Sequence, residues 1–211
     1  MSDGKKKILV ATGNPGKIAE IGAMLDADVR WLGLADLPPI AEIAEDGNTF
    51  AENARKKATG YAKATGLWTL ADDSGLVVDA LGGAPGIKSA RFSGEKPKDT
   101  DRTLIDHRNI AKTLELLKGV PEVKRTARFV CCLCLASPER ILIETEGMLE
   151  GLITDREIGQ NGFGYDPIFF VPSLNKTVAQ LTSEEKNAIS HRGNAIRKLK
   201  PLLDELLRAG L

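Results

Sequence analysis

Two adjacent carboxylates, Asp72 and Asp73, lie in the segment ADDSG, directly after an apolar run. Neighbouring carboxylates at the end of an apolar strand repel each other and lose hydration, a cost that a bound cation can offset. Their hard oxygens suit Mg2+, which also binds phosphate oxygens. Because side chains alternate along a strand, we expect one carboxylate to bind the metal and the other to support it or to orient water. A turn in which an aspartate caps the Ser-Gly backbone is the alternative.

A glycine-containing turn, GNPGK, separates the apolar run KILVA from a segment with helical spacing. A helix that begins at this turn would present unpaired backbone N–H groups and the positive end of its dipole. Thr12 and Asn14 add hydrogen-bonding side chains, and Lys17 adds a charge. The residue after Gly16 and Lys17 is neither Ser nor Thr, so the turn is not a Walker A loop. The pattern indicates a phosphate site, with an ordinary capped turn as the alternative.

A second glycine-rich segment, NGFGYDP, carries two aromatic residues, Phe163 and Tyr165. An exposed ring in this loop could stack on a flat ligand such as a nucleobase, and the glycines allow close backbone approach. The alternative is that both rings cover the hydrophobic core.

Positive residues cluster at the predicted start of the last helix. Ser190 as the N-cap puts His191 and Arg192 in the first turn, where cations oppose the helix dipole. A ligand explains them better than helix stability does, and Lys186 extends the same group of donors.

The remaining reactive residue types favour structural roles. The cysteines Cys131, Cys132 and Cys134 alternate between the two faces of a predicted strand with no histidine near them, which favours buried thiols over a metal or redox site. His107 lies in a charged part of a helix and is predicted to be exposed. No Ser or Cys has a nucleophile-elbow context, so a catalytic triad is disfavoured.

The elements that would position these residues follow an α/β pattern. KILVA is a predicted strand followed by the helix KIAEIGAMLDA, whose apolar face would include Ile18, Ile21, Ala23 and Leu25. A second helix is expected to start at Asn48 or Thr49 and to end at Gly66. Two short strands are expected on either side of a Ser-Gly turn after Asp73.

The second half of the chain continues the pattern. TLIDHRNIAKTLELLKG has helical spacing, and ARFVCCLCLA and RILIETEGMLEGLIT indicate a strand pair joined at Ser137 and Pro138. We expect Pro201 to bend the last helix or to divide it in two. We treat residues 1–211 as a single domain.

Composition excludes several classes of function. The chain has 211 residues, with 29 Lys and Arg against 29 Asp and Glu, so it has no overall positive field for a nucleic-acid backbone. The apolar stretch near the N-terminus is too short for a signal peptide, and no segment approaches the roughly 18 apolar residues of a membrane helix. We therefore expect a cytoplasmic protein.

Five segments together closely resemble the inosine triphosphate pyrophosphatase family, also called the Ham1-like or RdgB-like proteins. They stand in the family's order over nearly the whole chain: ATGNPGK, EDGNTFAENA, ADDSGLVVDALGGAPGIKSARFSG, GFGYDPIFF and EKNAISHRGNA. The resemblance implies an elongated mixed β-sheet flanked by helices, with two lobes, a central active-site cleft and a homodimer. It also implies hydrolysis of ITP, dITP and XTP to the monophosphate and pyrophosphate with Mg2+, which removes deaminated purines from the nucleotide pool.

The resemblance assigns roles to individual residues. Asp73 would accept a proton and bind the metal with Glu45, while Asp72 would support them. Asn53, Lys57 and Arg91 match family positions near the site. The substrate-binding positions would be Thr12, Gly13, Asn14, Pro15, Gly16, Lys17, Ser74, Phe163, Gly164, Tyr165, Asp166, Lys186, His191 and Arg192.

Two features depart from the family pattern. Gln160 and Asn161 precede GFGYDP where Thr-Gly or Gly-Gly is common, and the segment EKPKDTDRTLIDHRN is longer and more charged than usual. Two other functions stay open: a house-cleaning pyrophosphatase for pyrimidine or modified nucleotides, and a nucleotide-binding regulator without turnover.

Overall fold

The structure is a computed structural model that describes residues 5–13, 17, 20–21, 24–25, 27–94 and 101–209. Within these residues seven strands form one sheet in the order β2-β1-β3-β4-β5-β6-β7. Strand β1 is parallel to β2 and β3, whereas β6 is antiparallel to β5 and β7. The predicted α/β class with a mixed sheet is confirmed. The strands are β1 Lys6–Val10, β2 Val29–Gly33, β3 Trp68–Val78, β4 Thr126–Ala136, β5 Ile141–Ile153, β6 Phe169–Val171 and β7 Lys176–Thr177.

Helices flank the sheet, and the ends of helix α1, Phe50–Thr65, match the predicted signals. The Thr49 side chain accepts a hydrogen bond from the Glu52 N–H, and Gly66 ends the helix with a φ of 72°. Residues 17, 20, 21 and 24 are also helical, as predicted for that segment, while Ile18 and Ala23 lie outside the described residues. The helices that the described residues define in full are α1 Phe50–Thr65, α2 Arg102–Leu116, α3 Ser183–Ile189 and α4 His191–Arg208.

Helix α4 runs unbroken through Pro201, so of the two predicted outcomes the division of the helix is wrong, and a bend at Pro201 stays a prediction. Leu199 and Leu203, on either side of the proline, are fully buried in one hydrophobic core. Packing of this apolar face holds the helix together although proline removes one backbone hydrogen bond. In the described part of the chain, no helix combines the length and apolar character needed to span a bilayer.

Two compact units divide the chain, each with its own hydrophobic core. Unit 1 comprises the described residues of Met1–Asp73, Cys131–Gly147 and Arg192–Leu211, and its core includes Ile8, Leu70 and Leu199. Unit 2 comprises those of Ser74–Val130 and Met148–His191, and its core includes Leu76, Phe129 and Phe169.

Strand β3 is continuous from Trp68 to Val78, so the predicted turn at Ser74 and Gly75 is wrong. Gly75 is needed for close approach: a Cβ atom there would lie 2.7 Å from the Gly86 carbonyl oxygen and still nearer to the Ser89 hydroxyl. That hydroxyl accepts a hydrogen bond from the Leu76 N–H at 2.9 Å and donates to the Gly86 carbonyl at 2.6 Å. The close contact with Ser89 and Gly86 therefore explains why position 75 is a glycine, although the sequence pattern suggested a turn there.

The three cysteines are buried reduced thiols in β4, as predicted. Burial raises the pKa of each thiol to about 12. The predicted pairing of β4 with β5 is also confirmed.

Candidate active site

Asp72 and Asp73 are both buried in β3, and their side chains have different partners, as strand alternation predicts. The Asp72 Oδ2 atom lies 2.8 Å from Lys17 Nζ and 3.2 Å from Arg192 Nη2. Burial opposes ionisation of Asp72, but the charges of Lys17, Arg192 and Lys57 outweigh it and hold the pKa of this carboxyl well below its usual range. Asp72 is therefore a permanent anion that orients two cations.

Arg192 is 1% exposed at the start of α4, where two carboxylates balance its charge. One is Asp72, and the other is Glu20, which forms an ion pair with Arg192 Nη1. Glu20 is a site residue that the sequence did not indicate. Its position three residues after Lys17 on one helix was the only local signal, because residues at that spacing share a face.

Asp73 accepts a hydrogen bond from Asn53 Nδ2 at 3.0 Å. The Asn53 side chain is itself held, because its Oδ1 atom accepts from the Gly47 N–H at 2.8 Å. Burial raises the pKa of the Asp73 carboxyl, and the charge of Glu45 raises it further, while Lys57, Lys17 and the bond from Asn53 act in the opposite direction. Asp73 therefore differs from Asp72 in both partners and proton affinity.

Lys57 lies one turn after Asn53 on α1, so both side chains project from the same helix face. Its Nζ atom is 3.1 Å from Glu45 Oε1. Burial lowers the pKa of Lys57, but the charges of Asp72, Glu45 and Asp73 outweigh burial and raise it. We call the following residues of unit 1 the carboxylate cluster: Lys17, Glu45, Asn53, Lys57, Asp72, Asp73 and Arg192.

The predicted phosphate loop follows β1 directly. Thr12 is buried and Gly13 is exposed. Asn14, Pro15 and Gly16 lie outside the described residues. Lys17, at the end of this loop, joins the carboxylate cluster through its ion pair with Asp72.

Unit 2 contains the second group of predicted residues, in the segment 162–166, which we call the aromatic loop. The Asp166 Oδ2 atom accepts from the Phe163 N–H at 2.9 Å and from Lys186 Nζ at 2.7 Å. Lys186 Nζ also lies 4.3 Å from the centre of the Phe163 ring. Gly162 has a φ of 79°, and a Cβ atom there would collide with Asp166 Oδ2. Asp166 therefore stabilises the loop through contacts with the loop backbone and with Lys186.

The two other residues at the centre of this loop bind neighbouring elements. The Gly164 N–H donates to Asp106 Oδ2 at 2.9 Å, and the Tyr165 hydroxyl donates to the Ser89 carbonyl at 2.9 Å. Tyr165 is 5% exposed and belongs to the core of unit 2, whereas Phe163 is half-buried. Phe163 is therefore the ring of this loop with surface available for a ligand.

The remaining predicted residues occupy different surroundings. His191 is buried and stacks on Phe129 with ring centres 4.9 Å apart. Ser74 follows Asp73 in β3 and is half-buried. Arg91 ends a short 3-10 helix and is exposed. His107 is exposed, as predicted, and its Nδ1 atom lies 3.0 Å from Glu157 Oε2.

The donor set of the carboxylate cluster fits Mg2+ better than zinc. Among the residues that the structure describes, no three His, Cys, Asp or Glu side chains are grouped to hold a metal ion. Glu45, whose side chain is 37% exposed, and Asp73 are hard oxygen donors near Lys57. Mg2+ commonly takes one or two protein carboxylates together with water and phosphate oxygens, whereas zinc prefers nitrogen and sulfur ligands.

The chain is similar to known proteins in both sequence and structure. A dITP/XTP pyrophosphatase of Desulforamulus reducens is 48% identical over 201 residues, which are 95% of this chain and 96% of the relative. One from Geobacter sulfurreducens is 50% identical over 195 residues, or 92% and 94% of the two chains. A Ham1 protein of Staphylococcus aureus has a similar structure, with a TM-score of 0.83, 42% identity and coverage of 95% and 99%. Residues 8–202 match the model of the Ham1 family, and the chain belongs to that family.

Proposed function

We propose that this protein hydrolyses the non-canonical purine nucleoside triphosphates ITP, dITP and XTP to the monophosphate and pyrophosphate. The observation that carries the proposal is that the two neighbouring carboxylates of β3 have different partners. Asp72 pairs with two cations, and Asp73 accepts a hydrogen bond from Asn53. The names of relatives that share about half of their residues with this chain support two of these substrates, dITP and XTP.

The triphosphate binds to Lys17, the cation that Asp72 positions. The fixed orientation of Lys17 reduces the entropy lost when phosphate oxygens bind, and the buried Arg192 holds Asp72 in place. The turn of residues 12–17 adds donors from its backbone and side chains. The loop residues in this role are Thr12, Gly13, Asn14, Pro15 and Gly16.

Mg2+ is held by Glu45 and Asp73 in this proposal. When bound, the ion neutralises phosphate charge and helps to orient the attacking water. Asn53 fixes one oxygen of Asp73, and Lys57 fixes one oxygen of Glu45. These two contacts orient both carboxylates.

Asp73 accepts the proton of the attacking water. The water oxygen forms a bond to the α-phosphorus, the bond from that phosphorus to the oxygen bridging to the β-phosphorus breaks, and pyrophosphate leaves. The proton passes through Asp73 to solvent. Lys17 stabilises the negative charge that develops on the leaving pyrophosphate.

The base binds to the aromatic loop. The half-buried Phe163 ring stacks on the purine, and the aromatic loop and Lys186 form the surrounding pocket with His191. Hydrogen-bond donors of the pocket that pair with the 6-keto oxygen of the purine would face an amino group in adenine. Binding of ATP is therefore disfavoured. The further residues that we place at the substrate are Ser74 and Gly164, while the buried Tyr165 and Asp166 support the loop from the core side.

A substrate panel tests the function. Purified protein is assayed with ITP, dITP, XTP, GTP, ATP, dUTP and dTTP, and pyrophosphate and orthophosphate are both measured. We expect pyrophosphate from the first three, with kcat/KM on the order of 10^2-fold or more above the value for ATP. A preference for dUTP or dTTP would favour a pyrimidine house-cleaning enzyme. Binding of ITP without turnover would favour a regulator.

We also propose that the protein acts as a cytoplasmic homodimer, which the family resemblance supports. Light scattering coupled to size-exclusion chromatography measures the mass in solution. A mass near twice the 22.7 kDa of the chain is expected, and a monomer at working concentrations contradicts the dimer.

A further inference from the structure

Two consecutive backbone N–H groups of the aromatic loop are held by two different carboxylates. The Phe163 N–H donates to Asp166, which belongs to the loop itself. The Gly164 N–H donates at 2.9 Å to Asp106 Oδ2, which comes from α2 and lies 58 residues away in the sequence. The two peptide groups that flank the Phe163 Cα atom are therefore fixed, one from inside the loop and the other from a separate helix.

Asp106 is well placed for this role. It is only 9% exposed, and its other oxygen, Oδ1, lies 3.2 Å from Arg102 Nε one helical turn away. A backbone N–H bound to a buried carboxylate forms a stronger hydrogen bond than one bound to a neutral acceptor. Gly164 has a φ of 62°, and glycine adopts positive and negative φ about equally well, so its own backbone preference does not fix this peptide.

The orientation of this peptide affects the groups that face the base. The Phe163 ring lies 4.3 Å from Lys186 Nζ, and Lys186 is bound at 2.7 Å to Asp166. Loss of the bond to Asp106 would free the backbone torsions of Phe163 and Gly164, and with them the position of the ring relative to Lys186. Holding the Gly164 N–H therefore keeps an aromatic face and a cation in one arrangement.

We propose that Asp106 is a positioning residue for base recognition. It acts through Gly164 and contacts no substrate atom. The inference rests on the proposed function, because it assumes that Phe163 and Lys186 face the purine. Loss of Asp106 weakens binding of the base and leaves binding of phosphates to the carboxylate cluster unchanged.

The experiment compares Asp106→Ala, Asp106→Asn and Glu115→Ala with the unaltered protein. Glu115 is an exposed carboxylate of the same helix and serves as the matched control. The rates of hydrogen exchange at the backbone amides of residues 163 and 164 measure how firmly the loop backbone is held. Steady-state kinetics give kcat and KM for ITP, and inhibition by inorganic tripolyphosphate measures phosphate binding without a base.

We expect Asp106→Ala to speed exchange at Gly164 and to lower kcat/KM for ITP about tenfold, mainly through KM, the size expected for loss of a hydrogen bond to a charged group. The inhibition constant of tripolyphosphate should stay within about twofold. Asp106→Asn keeps an acceptor oxygen and should recover most of the loss, and Glu115→Ala should match the unaltered protein. If Asp106→Ala does not fold, Asp106→Ser, whose side chain is too short to reach Gly164, replaces it.

Faster exchange with kcat/KM for ITP unchanged overturns the positioning role and leaves the proposed function intact. Equal losses for ITP and tripolyphosphate also overturn it, because they indicate general damage. If the unaltered protein does not hydrolyse ITP, the proposed function fails and this inference fails with it.

Discussion

At the scale of residues, two carboxylates that are adjacent in the sequence have opposite roles because they face different neighbours. Asp72 is surrounded by cations and its pKa is lowered, whereas burial dominates at Asp73 and raises its pKa. Sequence alternation predicted the separation of the two side chains, but it could not indicate which carboxylate meets the cations. That depended on Arg192, which is 120 residues from Asp72.

Replacing Asp72 should destabilise the fold more than replacing an exposed carboxylate. Asp72→Asn removes the buried charge that balances Lys17 and Arg192, and breaking a buried ion pair costs about 3–5 kcal/mol. The control Asp79→Asn removes a half-exposed carboxylate that pairs with Arg128, which should cost about 1 kcal/mol or less. Urea unfolding measures both, and equal losses for the two variants would refute the role given to Asp72.

At the scale of elements, the sequence predicted helix ends well because their signals are local. Thr49 caps the start of α1 and Gly66 caps its end, and both make their contacts within this helix. The local pattern gave the wrong prediction at Gly75. A glycine is needed there because Ser89, fourteen residues later on another element, approaches the strand closely. The bond between Asp106 and Gly164 had no local signal either, since its partners are 58 residues apart.

Gly75 provides a test of the close approach inside β3. Gly75→Ala places a Cβ atom against the Ser89 hydroxyl and the Gly86 carbonyl, and overpacking of this kind costs typically about 1–3 kcal/mol. Gly33→Ala is the control, because its nearest neighbour, Asp36 Oδ2, would lie at an ordinary 3.6 Å. Thermal unfolding should separate the two, and an unchanged Tm for Gly75→Ala would argue against this packing.

The thiols of β4 should be unreactive in the folded protein. With each pKa raised to about 12, only about one thiol in 10^4 is ionised at pH 8. Because folding raises these pKa values from 9.0, the stability they contribute is complete below about pH 9 and is lost as the pH rises towards 12. Ellman's reagent should therefore react only after unfolding by guanidinium, and rapid reaction of the native protein would contradict the burial.

At the scale of the whole molecule, the order of elements and the mixed sheet agree with the sequence pattern and with the Ham1 family. Five short segments carried the resemblance, and the residues between them mainly build two cores. Two lobes were implied by the family resemblance alone, because each compact unit combines segments that are distant in the sequence and no local pattern marks its limits.

Removal of divalent ions should abolish activity in the intact protein. Treatment with EDTA should stop hydrolysis of ITP, and added Mg2+ should restore it, because the phosphate charge needs a counterion beside Glu45 and Asp73. Glu45→Gln should raise the Mg2+ concentration for half-maximal rate about tenfold, whereas Glu115→Ala should not change it. Recovery without any added divalent ion would contradict the metal assignment.

The most direct test of the central claim is hydrolysis of ITP in water labelled with oxygen-18. Attack on the α-phosphorus with Asp73 as proton acceptor predicts label in the monophosphate and none in pyrophosphate. Asp73→Asn should lower kcat by about 10^2 to 10^4 while ITP still binds. Label in pyrophosphate or orthophosphate, or full activity of Asp73→Asn, would contradict the account.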